Sequence, residues 1–107
     1  MDRTEYVPLG SVVILKGAVQ PLLVVARAMN VKRGDKSFFF DYGGVLYPEG
    51  LTGDRMAYFN HDNLEEVIFT GFNDEASRRM TDIINQYVEA HPQLVRCTPD
   101  EWNAMKD

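Results

Sequence analysis

The chain has 107 residues, of which 45% are apolar and 25% charged, and this composition indicates a folded globular domain rather than a disordered chain. Its formal net charge of −5 argues against nucleic-acid binding, which depends on basic side chains that neutralise phosphates. The single cysteine, Cys97, excludes an internal disulfide and is typical of a reducing compartment.

The N-terminal stretch MDRTEYVPLG contains no apolar segment of the kind that forms the centre of a secretory signal peptide. The longest apolar runs, VVIL and LLVVA, are too short to cross a bilayer. We therefore expect a cytoplasmic protein without membrane insertion, and export by a route that needs no N-terminal signal is also compatible with the sequence. The pattern does not specify an oligomeric state.

The region from about residue 6 to about residue 70 has the patterns of β-strands. SVVILKG predicts a first strand, LLVVARAM its antiparallel partner, and the Gly34-Asp35 turn leads into SFFFDY. The glycine pair Gly43-Gly44 predicts an interruption of this strand by a bulge, a sharp bend or a close backbone approach, after which VLY resumes and PEG forms a turn. Asp62 and Glu65 have capping-box spacing for a single helical turn, and VIFT predicts the last strand.

After Gly71 the apolar residues follow a helical period, in an apolar stripe of Ala76, Met80, Ile83, Ile84, Tyr87 and Val88. They predict an amphipathic helix over about residues 74–90, with Asn73 as the N-cap and Pro92 as the stop. Thr98, Pro99 and Glu101 predict a short helical tail over about residues 99–106, whose Trp102 and Met105 we expect to dock on the domain. The prediction is a single α+β domain over residues 1–107. Its small, mostly antiparallel, strongly bent sheet of about five strands precedes the two helices.

Reactive side chains are present, but their spacing matches no known catalytic or metal-binding motif. His61, His91 and Cys97 lack the spacing of metal ligands, so we expect neither a metal site nor a cofactor. Asp41, Glu49 and Asp62 are the best candidates for acid–base work, but acids at turns and caps are common for local hydrogen-bonding reasons. We therefore predict no catalytic residue and a protein that is not an enzyme.

Aromatic side chains are concentrated between residues 38 and 59: Phe38, Phe39, Phe40, Tyr42, Tyr47, Tyr58 and Phe59. A small sheet needs most of them to fill its core. Consecutive strand residues point to opposite faces, however, so they cannot all face one core. We expect Tyr47 and Tyr58, beside turns, to lie nearest the surface, where tyrosine favours protein interfaces.

Three pieces of the chain carry a family resemblance: VPLGSVVILKG, FDYGGVLYPEG and YFNHDNLEEVIFTGF. Together they resemble the small proteins of domain-of-unknown-function family 4176, found in Gram-positive bacteria. The resemblance covers about residues 6 to 72. It implies an association with type VII secretion and with LXG toxins, because some such proteins act as targeting factors that bind the toxin's helical N-terminal domain before export. It supplies no catalytic residues.

The resemblance and the aromatic cluster lead to the hypothesis of a non-catalytic adaptor, chaperone-like, that binds a helical partner. The candidate partner-binding residues are Tyr42, Tyr47, Glu49, Tyr58, Phe59 and His61. The alternative is an immunity protein whose acidic surface masks a basic toxin active site, which would make association strongly salt-dependent. An enzyme is the third hypothesis, and it requires Asp41, Glu49 or Asp62 to converge in a pocket.

Overall fold

The computed structural model describes residues 3–105 and confirms the α+β class, with one five-stranded sheet in the order β4-β3-β2-β1-β5. Every pairing in this sheet is antiparallel. The strands are β1 (Val12–Leu15), β2 (Leu22–Arg33), β3 (Lys36–Leu46), β4 (Ala57–Phe59) and β5 (Leu64–Phe69).

The longest pairing in the sheet is the hairpin of β2 and β3, which runs from Leu22 opposite Leu46 to Arg33 opposite Lys36. Its β-branched and aromatic residues favour extended backbone, and the predicted glycine turn closes it. The predicted pairing of the first two strands is also confirmed, since Val12 of β1 lies opposite Leu23 of β2.

The predicted interruption at Gly43-Gly44 is wrong in one respect, because β3 continues through both glycines without a break. The irregularity lies in the partner strand, where the register shifts between Val24 and Ala26. The two glycines instead allow atoms of neighbouring residues to come close to the backbone of β3. A Cβ added at Gly43 would lie 2.7 Å from Met29 Sδ, which is closer than side-chain atoms come to each other.

The predicted capping box of Asp62 and Glu65 is also wrong, since a neighbouring pair takes that role. Asn60 precedes a 3₁₀ helix of His61–Asn63: the Asn60 N–H donates to Asn63 Oδ1 at 2.7 Å, and the Asn63 N–H donates to the Asn60 carbonyl at 2.9 Å. Glu65 already belongs to β5, so its side chain lies beyond the turn.

Both predicted helices are confirmed, as α1 (Glu75–Ala90) and α2 (Pro99–Ala104). The N-cap of α1 is Asp74, whose side chain accepts from the Ser77 N–H at 3.0 Å, rather than the predicted Asn73. Residue 106, the predicted end of the tail helix, lies outside the described residues. Between residues 3 and 105, neither helix has the length and apolar character that a bilayer crossing requires.

The tail helix is held by its predicted capping box. Thr98 accepts from the Glu101 N–H at 3.0 Å, and Glu101 accepts from the Thr98 N–H at 2.8 Å. Trp102 is only 4% exposed, so the expected docking of the tail is confirmed.

The core consists of two clusters of buried side chains. The larger one lies under α1 and contains Tyr6, Val7, Val13, Leu22, Val24, Tyr42, Phe59 and Ile84. The smaller one contains Phe38, Phe40 and Trp102, and both phenylalanine rings meet the indole edge to face. The aromatic residues of β3 are therefore divided along the strand, with Phe38 and Phe40 under α2 and Tyr42 in the larger cluster.

Candidate functional site

The apolar stripe of α1 is wider than the face that docks on the sheet. Thr81 and Ile84 are buried, and this burial holds the helix against the domain. Four further apolar side chains remain exposed in one row at helical spacing: Ala76, Met80, Ile83 and Tyr87. We call this row the exposed seam. Its larger members are 44% (Met80), 56% (Ile83) and 37% (Tyr87) exposed.

An open groove of about 580 Å³ lies where the first turns of α1 approach β2. Its apolar side chains are exposed to solvent and come from four separate segments: Leu9, Val25, Phe72 and Met80. Single exposed apolar residues are normal on a protein surface, whereas a contiguous set that lines a concavity is typical of a binding site. Met80 belongs to both the groove and the exposed seam, so the two surfaces are continuous.

Polar groups in the groove are few. Arg27 of β2 lines it and donates one long hydrogen bond, 3.5 Å, to Thr81 Oγ1. Desolvation by burial lowers the pKa of the Arg27 guanidinium, which nevertheless stays charged at neutral pH. Ser77 of α1 also lines the groove, and its buried Oγ has no hydrogen-bond partner among the described residues.

A second polar feature is a buried network centred on Asp41, whose carboxylate is 6% exposed. Oδ1 accepts from Arg96 Nη1 at 2.8 Å and from the Tyr6 hydroxyl at 3.3 Å, and Oδ2 accepts from the His61 N–H at 2.8 Å. Asn60 Oδ1 accepts from the Asp41 N–H at 3.0 Å. The carboxylate accepts from three donors, two at Oδ1 and one at Oδ2, and this favours a structural role over proton transfer.

The hydroxyl of Tyr42 extends the network to the His61 ring. It accepts from the Val7 N–H at 2.9 Å and lies 2.7 Å from His61 Nδ1. A hydroxyl both donates and accepts, so it can pair with either tautomer of the His61 ring. Burial raises the pKa of the Tyr42 hydroxyl, because the phenolate would lose its hydration.

Two of the predicted partner-binding residues are core residues. Tyr42 and Phe59 are 0% exposed and stack with ring centroids 5.4 Å apart, so neither has side-chain surface for a partner. The antiparallel pairing of Tyr42 with Phe59 places both on the covered face of the sheet. Tyr58 is half-buried, since its ring packs 5.6 Å from Trp102. The tail helix thus partly covers the Tyr58 side chain, which the sequence pattern placed near the surface.

Tyr47 and Glu49 lie in the turn after β3, where the Gly50 N–H donates to the Leu46 carbonyl at 2.7 Å and closes the predicted turn. Tyr47 is 46% exposed, which confirms its expected place at the surface. Gln20 Nε2 donates to the Tyr47 carbonyl and approaches Glu49 Oε1, so the turn is tied to the β1–β2 connection. A contact of either residue with a partner stays a prediction.

The three candidate acids do not converge. Asp41 and Asp62 line one polar cleft, whereas Glu49 lies apart, beside Gln20. Between residues 3 and 105, no group of three or more His, Cys, Asp or Glu side chains could hold a metal ion. Burial also raises the pKa of the Cys97 thiol, which makes the nucleophilic thiolate less available.

Sequence patterns alone miss the groove, because Leu9, Val25 and Phe72 belong to three unrelated segments. The sequence of α1 does contain one indication of a second contact surface. Its apolar stripe of six residues, from Ala76 to Val88, is broader than the docking of one helix on a small sheet needs. A surplus of apolar residues on one helix indicates a second contact surface.

These features define a small α+β domain with an apolar groove and a buried polar network. The sequence matches the family model described as Domain of unknown function (DUF4176) over residues 6–80, well over half of the chain. The chain therefore belongs to the DUF4176 family. Comparison with curated proteins and with solved structures finds no match.

Proposed function

We propose that this protein is a non-catalytic adaptor that binds an amphipathic helix of a partner protein along the groove and the exposed seam. The observation that carries the proposal is the row of exposed apolar residues at helical spacing on α1, from Ala76 to Tyr87. A partner helix laid beside α1 would insert its own apolar ridge against this row, as packed helices do. The family resemblance supports a partner class, the helical N-terminal domain of an LXG toxin bound before type VII secretion.

The free energies of burial and association favour a contact that uses both the groove and the exposed seam. Covering the exposed part of one groove side chain contributes roughly 1 kcal/mol, so the four apolar side chains of the groove contribute roughly 4 kcal/mol. Association itself costs at least about 4 kcal/mol in lost freedom. The groove alone would therefore bind weakly. A stable complex also needs Ile83 and Tyr87 of the exposed seam.

The test is co-expression with the helical N-terminal domain of an LXG toxin encoded beside this protein, followed by size-exclusion chromatography with light scattering. We expect a complex of defined mass that the double variant Phe72→Ser, Met80→Ser no longer forms. The matched control is Val19→Ser, Leu51→Ser, which removes two apolar side chains that lie away from the groove and are, respectively, more exposed than Phe72 and Met80.

Two results would contradict the proposal. One is separate elution of two folded proteins. The other is a complex with the toxin's C-terminal domain together with protection in a toxicity assay, which would establish an immunity protein instead. A complex that the control variant abolishes and the groove variant leaves intact would keep an adaptor but move its surface.

A further inference from the structure

The groove contains one charged hydrogen-bond donor, Arg27, that lacks a good acceptor. Within residues 3–105 no carboxylate forms an ion pair with Arg27, whose one side-chain hydrogen bond is the 3.5 Å contact to Thr81. Ser77 Oγ also has no partner among the described residues, but it is buried and so is not accessible to a bound helix. Asp74 also lines the groove, but its carboxylate accepts from the Ser77 N–H as the N-cap of α1.

An apolar partner helix would make this arrangement costly. Covering the groove would remove the remaining water from the Arg27 guanidinium, and a buried charge without a counter-charge is strongly destabilising. A carboxylate on the partner would remove that cost, because a charge-assisted bond from a guanidinium is among the stronger hydrogen bonds.

We propose that the groove selects a helix carrying one Glu or Asp among its apolar residues, and that Arg27 donates to that carboxylate. This inference rests on the proposed adaptor function and specifies the chemistry of its partner. The carboxylate fixes the register of the partner helix along α1, while the surrounding apolar contacts supply most of the affinity.

Three stapled helical peptides of about 20 residues, long enough to present several turns, serve as probes. They share an apolar row at the spacing of the exposed seam and differ at one central position, which is Glu, Gln or Lys. Affinity is measured by calorimetry with the full chain at about 0.15 M salt, where distant charges are screened. Backbone amide shifts in NMR spectra locate the contact.

The expected order of affinity is Glu, then Gln, then Lys, with about tenfold between the first two, as a hydrogen bond to a charged group allows. The net charge of −5 would by itself favour the Lys peptide, so a preference for Glu would show a local effect of the groove rather than of the overall charge. Arg27→Glu should invert the order, and Ser77→Ala, which removes a buried hydroxyl that the peptide does not reach, should leave it unchanged. Arg55→Glu, an exposed charge reversal away from the groove, should leave the order unchanged.

Equal binding of the three peptides, or amide shifts away from Leu9, Phe72 and Met80, would overturn the inference. Failure of all three peptides to bind would also overturn the inference. The co-elution test with the toxin domain is independent of these peptides, so the adaptor function can stand when the carboxylate requirement fails. Thermal melts of the Arg27 and Ser77 variants confirm that each is folded before its affinity is compared.

Discussion

Arg96 Nη1 lies 2.8 Å from Asp41 Oδ1, and this ion pair ties the segment between the two helices to the middle of β3. The Phe39 N–H donates to the Val95 carbonyl at 2.8 Å, which adds a backbone bond beside the pair. The Arg96 guanidinium also lies over the Phe39 ring, 4.8 Å from its centroid. The connection that carries α2 is therefore part of the folded domain.

Replacing Asp41 should destabilise the fold strongly. Asp41→Ala leaves the buried donors of His61 and Tyr6 without an acceptor, and we expect the free energy of unfolding to fall by about 3 kcal/mol. Arg96→Ala should cost less, about 1 to 2 kcal/mol, because the side chain is 36% exposed and water can replace part of its role. Urea denaturation measures both changes.

The control is Arg79→Ala, which breaks an exposed ion pair with Glu75 at 2.8 Å on α1. We expect a change within about 0.5 kcal/mol. A loss at Arg79 as large as that at Asp41 would refute the special role of the buried network.

Trp102 gives an optical readout of tail docking, since it is the only tryptophan of the chain. Its indole contacts the rings of Phe38, Phe40 and Tyr58, and the Arg33 guanidinium lies 3.9 Å from its centroid. We expect blue-shifted emission in the native protein and a red shift on unfolding.

Truncation of the same side chain should be costly. Trp102→Ala should lower the free energy of unfolding by about 3 to 5 kcal/mol, whereas Asn103→Ala, on the exposed side of α2, should change it by less than about 0.5 kcal/mol. Native emission as red as that of the denatured chain would show that the tail is not docked in solution.

Local chemistry explains the parts of the fold that the sequence predicts well. The capping box of Thr98 and Glu101 and the proline between them involve residues within one turn of each other, so their pattern specifies the start of α2 without knowledge of the rest. The Gly34-Asp35 turn and the helical period of α1 are local in the same sense.

Long-range pairing explains the parts that the sequence does not reveal. Gly44 is favoured because the Leu23 carbonyl oxygen, on the neighbouring strand, lies 3.0 Å from the position that a Cβ would take. Tyr42 and Phe59 lie opposite each other in β3 and β4 and are buried together. The residues of one strand alone do not indicate which of its faces the rest of the chain will cover. The groove depends in the same way on segments distant in sequence.

Gly71 should not tolerate a side chain. A Cβ there would overlap the Leu9 carbonyl oxygen and lie 2.8 Å from Gly10 C and 2.9 Å from Ser11 N, all of them backbone atoms that cannot turn aside. We expect Gly71→Ala to cost about 3 kcal/mol, at the upper end for overpacking. The exposed neighbour provides the control, since Thr70→Ala should change stability by less than about 0.5 kcal/mol. Equal melting curves for the two variants would contradict the close approach.

The two faces of α1 should respond differently to substitution. Ile84→Ala opens a cavity in the core and should cost about 2 to 5 kcal/mol. Ile83→Ala removes a side chain that is 56% exposed, and we expect a change within about 0.5 kcal/mol. Chemical denaturation of the two neighbouring variants makes the comparison. A large loss at Ile83 would mean that the exposed seam is packed within the domain and is not free for a partner.

Stability should fall at alkaline pH, and Tyr42 should cause part of the loss. Burial raises the pKa of its hydroxyl above the ordinary value of 10.0, so the folded state holds the proton after the unfolded chain has released it. The contribution is complete below pH 10 and is lost as the pH rises from there towards the folded-state pKa, at up to about 1.4 kcal/mol per pH unit. Tyr6 should act in the same direction, because burial and the neighbouring Asp41 raise its pKa as well.

Urea denaturation at a series of pH values from neutral to alkaline tests this expectation against the variant Tyr42→Phe. The variant loses the hydrogen bonds to Val7 and His61, so it should be less stable at neutral pH by about 1 to 3 kcal/mol. Its stability should then decline less steeply with alkalinity, because one of the two perturbed hydroxyls is gone. The chain has five tyrosines, so the difference between the ultraviolet tyrosinate titrations of the native protein and of the variant follows the ionisation of Tyr42. Parallel stability curves for the variant and the native protein above pH 10 would show that the Tyr42 hydroxyl ionises as readily in the fold as in the unfolded chain.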